Sequence, residues 1–158
     1  MTENYLNILE ESLEKKLQIM AKIQKYSLLQ QEIFQSQEAD IDKFDEYVDK
    51  KDELLEELGA LDNGFETLYR SVSGQLQGNR EKYAEQIRRL QELVTRVTEG
   101  SVTIQTQEAR NKKLVEDYFR RQREDIAKNR RSSNAAYNYY KNMSGSTVET
   151  SYLYDDKK

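Results

Sequence analysis

Apolar residues return every three or four positions along most of the chain, the spacing that lines up one face of an α-helix. The first run, Leu6, Leu9, Leu13, Leu17, Met20, Ile23 and Ile33, predicts a helix over about 3–35, with Thr2 or Asn4 able to cap it. Its last turns broaden into Tyr26, Leu28, Leu29 and Phe34. Residues Ser36 to Asp40 break the period, and Asp40 is a good N-cap for the next helix. The second run predicts a helix over about 40–75. It reads Ile41, Phe44, Val48, Lys51, Leu55, Leu58, Asp62, Phe65, Tyr69, Val72, Leu76, alternating steps of three and four as heptads do. Gly59 and Gly64 interrupt it, each costing about 1 kcal/mol relative to alanine, so a bend or a close helix contact is expected there.

Gly74 and Gly78 bracket the next predicted turn, and Asn79 is placed to cap a third helix over about 79–131. That helix carries Tyr83, Ile87, Leu90, Val94, Val97, Ser101 and Ile104, then Asn111, Leu114 or Val115, Tyr118, Gln122 and Ile126. Glycine and β-branched residues cluster at Gly100-Ser101-Val102-Thr103, where a kink or hinge is expected. Beyond Arg131 the period vanishes. Residues 132–158 are rich in Ser, Asn, Thr and Gly and carry five tyrosines, the pattern of a flexible tail. The predicted class is therefore all-α: an elongated antiparallel three-helix bundle or coiled coil over 1–131, with a long third helix and an irregular C-terminal tail over 132–158.

Composition strengthens this picture. The chain has no proline, so nothing forbids long helices, and charged residues (34%) nearly match hydrophobic ones (36%), as expected when each helix buries only a stripe. Cysteine and histidine are both absent, which removes disulfides, thiolate chemistry, the usual neutral-pH base and the commonest metal ligand. No apolar run approaches the roughly 18 residues that span a bilayer. The opening Met1-Thr2-Glu3-Asn4 lacks a basic signal-peptide start, so a cytoplasmic protein without membrane insertion is expected.

The net charge of −4 is unevenly spread. Residues 38–66 hold twelve acids against three lysines, a net of −9, and residues 110–131 hold nine basic residues against four acids, a net of +5. An acidic helix beside a basic one is the simplest reading, with opposite signs fixing the pairing. Nucleic-acid binding by 110–131 is disfavoured by its four acids and by a sequence pI near 5.1. The carboxylates sit opposite the apolar stripes, and no feature predicts the pocket that catalysis needs. Asp40, Asp42, Asp45 and Asp49 lack the spacing and central glycine of an EF-hand loop. Neither an enzyme nor a cofactor or metal site is expected. The aromatic residues gather late, at Tyr118, Phe119, Tyr137, Tyr139, Tyr140, Tyr152 and Tyr154. Tyr118 reads as core, whereas tyrosines in a tail suit an interface.

Three short motifs resemble those of the FlgN-type flagellar export chaperones, small helical proteins of the flagellar type III secretion system. Lys51 followed by Leu54-Leu55 is similar to the family's lysine and Leu-Leu pair. Asn111 to Leu114-Val115 is similar to its Asn-x-x-Leu-Leu, with valine in the last place. Ala136-Tyr137 is similar to its tail tyrosine, although the glycine expected soon after arrives only at Gly145. The resemblance covers about residues 3–140. It implies a cytoplasmic chaperone that binds C-terminal helical segments of hook–filament junction proteins and delivers them to the export gate. It further implies a client-binding face of Leu114, Val115, Tyr118, Phe119 and Ile126, exposed on the distal third helix, and gate docking through Tyr137, Tyr139 and Tyr140. The alternative is a structural coiled coil that acts by self-association, and a homodimer fits either reading.

Overall fold

The computed structural model describes residues 2–128, and every described element is a helix: α1 (Thr2–Ile33), α2 (Ile41–Gly78) and α3 (Ala84–Lys128). The tail over 132–158, with Tyr137, Tyr139 and Tyr140, lies outside the described residues. The three helices form an all-α three-helix bundle. No helix among the described residues is long and apolar enough to cross a membrane.

The helix ends follow local chemistry. Asp40 Oδ1 accepts the backbone N–H of Lys43 at 3.0 Å, satisfying an orphan donor of the first turn of α2. The expected cap at Asn79 works in the other direction. α2 continues through Gly74 to Gly78, and Asn79 Nδ2 donates to the Gln75 carbonyl at 3.1 Å, so this side chain closes α2 instead of opening α3. Residues 79–83 form a turn, and α3 begins at Ala84. Thr2 likewise does not cap α1, since its hydroxyl hydrogen-bonds the Gln75 side chain.

Packing falls into two compact units. Unit 1 joins Met1–Tyr26 to Asp49–Gln105. In it Leu6 and Leu9 cluster with Val72 and Leu76, while Ile19 and Ile23 cluster with Leu54, so α1 and α2 run antiparallel. Leu13 and Met20 cluster with Leu93 and Val97, so α1 and α3 run parallel. Lys16 Nζ reaches Asp62 at 2.6 Å and Arg89 Nε reaches Glu10 at 2.8 Å, two ion pairs that tie α1 to its neighbours. Unit 2 joins Ser27–Val48 to the described part of Thr106–Lys158. Phe44 and Val48 meet Val115 and Phe119 there, with Ile33, Phe34 and Tyr118 packed around them. The start of the acid-rich stretch thus lies alongside the basic one within this unit.

The buried stripe of α2 is rotated from the heptad reading at three positions. Leu54 is buried, Leu61 and Leu68 are half-buried, and the predicted Asp62 and Tyr69 are exposed. Neighbouring positions lie about 100° apart around a helix, and the packing of α2 against both α1 and α3 decides which of the two is covered. On α3 the same shift buries Leu93 and exposes Val94.

The glycines divide into two kinds. A Cβ at Gly59 or Gly64 would meet nothing within 4 Å, so neither marks a close helix contact, and α2 passes through both as helix. A Cβ at Gly100 would lie 2.9 Å from Met20 Cε, so glycine there admits the tip of an α1 side chain. α3 is also continuous through 100–103, where the Thr103 hydroxyl donates to the Glu99 carbonyl at 3.1 Å. The double substitution Gly59→Ala/Gly64→Ala is expected to stabilise the chain by about 1–2 kcal/mol, through helix propensity alone. Urea unfolding reads this directly, and an unchanged midpoint would mean that α2 is not helical at these sites.

Candidate functional site

The five residues expected to form a client-binding face lie partly or wholly within the packing of the fold. Val115 and Phe119 are buried, and Leu114, Tyr118 and Ile126 are half-buried. The reason is aromatic packing. Phe34, in the turn just after α1, places its ring 5.5 Å from Phe44 and 5.5 Å from Tyr118, and Tyr118 meets Phe119 edge-on at 5.1 Å. Edge-to-face rings at this spacing pack favourably. The apolar face of distal α3 is therefore covered by the chain itself.

Beside that aromatic cluster lies a buried polar layer between α1 and α3. Asn111 Nδ2 donates to the Ser27 carbonyl at 2.8 Å, and Gln107 Nε2 donates to Gln31 Oε1 at 2.7 Å and to Asn111 Oδ1 at 3.0 Å. Ser27 Oγ donates to Glu108 Oε1 at 2.6 Å, and Gln30 Nε2 donates to the Phe44 carbonyl at 3.1 Å. Gln30 Oε1 is buried without a hydrogen-bond partner. Such a layer costs stability relative to an apolar one but penalises any other register, because sliding the helices would strand each group.

Two of the three motifs behind the family resemblance, those on α2 and α3, thus fall largely on core positions, while Ala136-Tyr137 lies outside the described residues. Lys51 is fully buried, Leu54 is buried, Asn111 belongs to the polar layer and Val115 to the aromatic cluster. They account for packing and offer little surface to a partner.

An open apolar surface lies in unit 1, between the second half of α2 and the first half of α3. A groove of about 760 Å³ runs there, floored by Phe65, Leu76, Ile87 and Leu90. Tyr69 from α2 and Val94 from α3 form its lips, 48% and 47% exposed. Phe65 and Tyr69 hold nearly parallel rings 6.3 Å apart, one turn from each other, which presents a flat aromatic wall. On α2 the lining spans residues 65–77, about 18 Å or three turns of helix. Two exposed hydrophobics facing each other across a channel form a contiguous patch, unlike solitary surface side chains. The heptad reading places Tyr69 and Val94 in the core instead. A signal for the groove is present in the adjacent Leu68 and Leu93, which compete for the same face.

The groove pairs an apolar floor with neutral and cationic polar side chains. Among the described residues no group of three or more acids is placed to hold a metal ion. The groove lining has no carboxylate, and its polar members are Ser73, Gln77, Arg80, Arg88, Gln91 and Thr95. No protein-family model, curated protein or solved structure matches the chain.

Proposed function

We propose that the chain is a non-enzymatic export chaperone of the FlgN type. In this reading it holds C-terminal helical segments of hook–filament junction proteins in the cytoplasm and delivers them to the flagellar export gate. The client and the gate come from the motif resemblance. The observation that carries a helix-binding role is the apolar groove of unit 1, with Tyr69 and Val94 exposed on opposite lips. A three-turn channel suits an amphipathic helix that anchors at i, i+3, i+4 and i+7, giving three helices a fourth. The client site is accordingly assigned to α2 and α3 of unit 1 rather than to Leu114, Val115, Tyr118, Phe119 and Ile126.

Fluorescence anisotropy with labelled C-terminal peptides of junction proteins tests this reading. Val94→Arg puts a charge on the lip without touching the buried core, and is expected to weaken binding at least about tenfold, with the helical circular dichroism unchanged. Undiminished binding by Val94→Arg would move the site elsewhere. A concentration-independent oligomer of the parent chain that dissociates in Val94→Arg would favour the self-associating coiled coil instead.

A further inference from the structure

The groove is basic in a chain that is acidic overall. Its lining carries two arginines and no carboxylate, whereas the whole chain holds 29 acids against 25 lysines and arginines. Both arginines lie in the part of the groove nearer the turn between α2 and α3, with Val94 and Thr95 at the far end of the α3 side. Arg80 belongs to the turn between α2 and α3, and Arg88 lies one helical turn beyond Ala84. Arg80 is exposed and makes no hydrogen bond or ion pair among the described residues. Arg88 donates to Glu85 at 3.0 Å, an i,i+3 pair with both side chains well exposed, worth little in water and readily exchanged. Glu85 is also shared with Arg89 at 3.5 Å, so this one carboxylate is divided between two guanidinium groups.

Resting on the reading of this groove as a helix-binding site, we infer that it selects one class of partner: an amphipathic helix of about three turns whose apolar stripe is flanked by Asp or Glu side chains at one end. Arg80 and Arg88 read that acidic end. They fix the direction of the bound helix by placing its carboxylates toward the turn between α2 and α3. A basic flank at the same place meets like charge with no carboxylate in the lining to relieve it. Guanidinium suits this role because it pairs with carboxylate in a planar, two-point geometry. The contribution falls on specificity and encounter rate more than on total affinity, as is usual at an exposed rim.

The test uses the full chain and three designed helical peptides, acetylated and amidated so that only side chains differ in charge. All share one apolar stripe, and their flanking positions are Glu, Gln or Lys. Anisotropy titrations at low salt are expected to show the Glu peptide binding about tenfold more tightly than the Lys peptide, with the gap narrowing as salt rises. The charge-reversed double variant Arg80→Glu/Arg88→Glu is expected to invert the preference, its fold checked by circular dichroism. Equal binding of the three peptides, lost in Val94→Arg, would overturn the charge selection and leave the groove reading intact. A preference that persists in the double variant would also overturn it. Absence of binding to any peptide, or a dimer of the parent chain that Val94→Arg dissolves, would overturn both readings.

Discussion

Phe119→Ala is expected to destabilise the protein by about 3–5 kcal/mol, the usual range for removing a buried aromatic ring. Phe119 is 3% exposed, touches Tyr118 edge-on and shares a cluster with Phe44, Val48 and Val115. The cavity left behind is bordered by two helices and the end of a third, which cannot all close on it. The loss is expected to concentrate in unit 2. Native-state hydrogen exchange should show faster exchange over 27–48 and 106–128, with the amides around Leu9, Val72 and Leu93 retaining most of their protection. This matters for function because Phe119 belongs to the face that the family resemblance assigns to the client. If Phe119→Ala abolishes client binding while unfolding and exchange stay at parental values, the ring contacts the client directly and its assignment to the core is wrong.

Asn111→Asp is expected to cost about 3 kcal/mol at pH 7 and very little near pH 4. The two side chains are almost the same shape, so packing barely changes. Asparagine donates from Nδ2 to the Ser27 carbonyl at 2.8 Å, whereas an ionised aspartate turns an acceptor toward that carbonyl in a buried site. Burial disfavours the charged form and raises the folded-state pKa above the unfolded value of about 3.9. Below about pH 4 the carboxyl is protonated in both states, its hydroxyl can donate to Ser27, and the penalty is absent. As pH rises, the unfolded state ionises first, so stability relative to the parent falls by about 1.4 kcal/mol per unit. The loss levels off once the folded-state carboxyl ionises as well. Urea midpoints of variant and parent at pH 4 and pH 7 measure the difference. An equal penalty at both values would show that the cost is steric.

The helices were legible in the sequence because their signals are local. The absence of proline, the three-four spacing and the Asp40 cap each act within a turn or two, and each has its counterpart in the fold. The rotational phase of each helix was less legible. α2 packs against both α1 and α3, so its apolar face is wide, and neighbouring positions such as Leu54 and Leu55 or Leu61 and Asp62 compete for the seam. Contacts distant in sequence decide that competition. The same gap in information hid the groove, since the exposure of Tyr69 and Val94 depends on α1 contributing nothing to that face. It also leaves open, from sequence alone, what covers Val115 and Phe119. An apolar stripe on α3 looks the same whether a partner or Phe34 and Phe44 cover it. Asn79 was a case of ambiguous chemistry, because asparagine can cap the end of one helix as readily as the start of the next.

The polar layer also bears on how the chain reaches its fold. Its α1–α3 bonds join residues 76 to 84 positions apart, as do the Gln86–Asn7 and Arg89–Glu10 contacts, each 79 apart. By contrast, Gln30 reaches across the first connection to Phe44, only 14 positions on. Closing a longer loop costs more chain entropy before any contact rewards it, so hairpins between sequence neighbours form first and the first-to-third pairing closes last. The groups that set the register of α1 against α3 are thus the ones that assemble latest. They act as a final proofreading step, rejecting a docked but misaligned third helix after most of the apolar surface has already been buried.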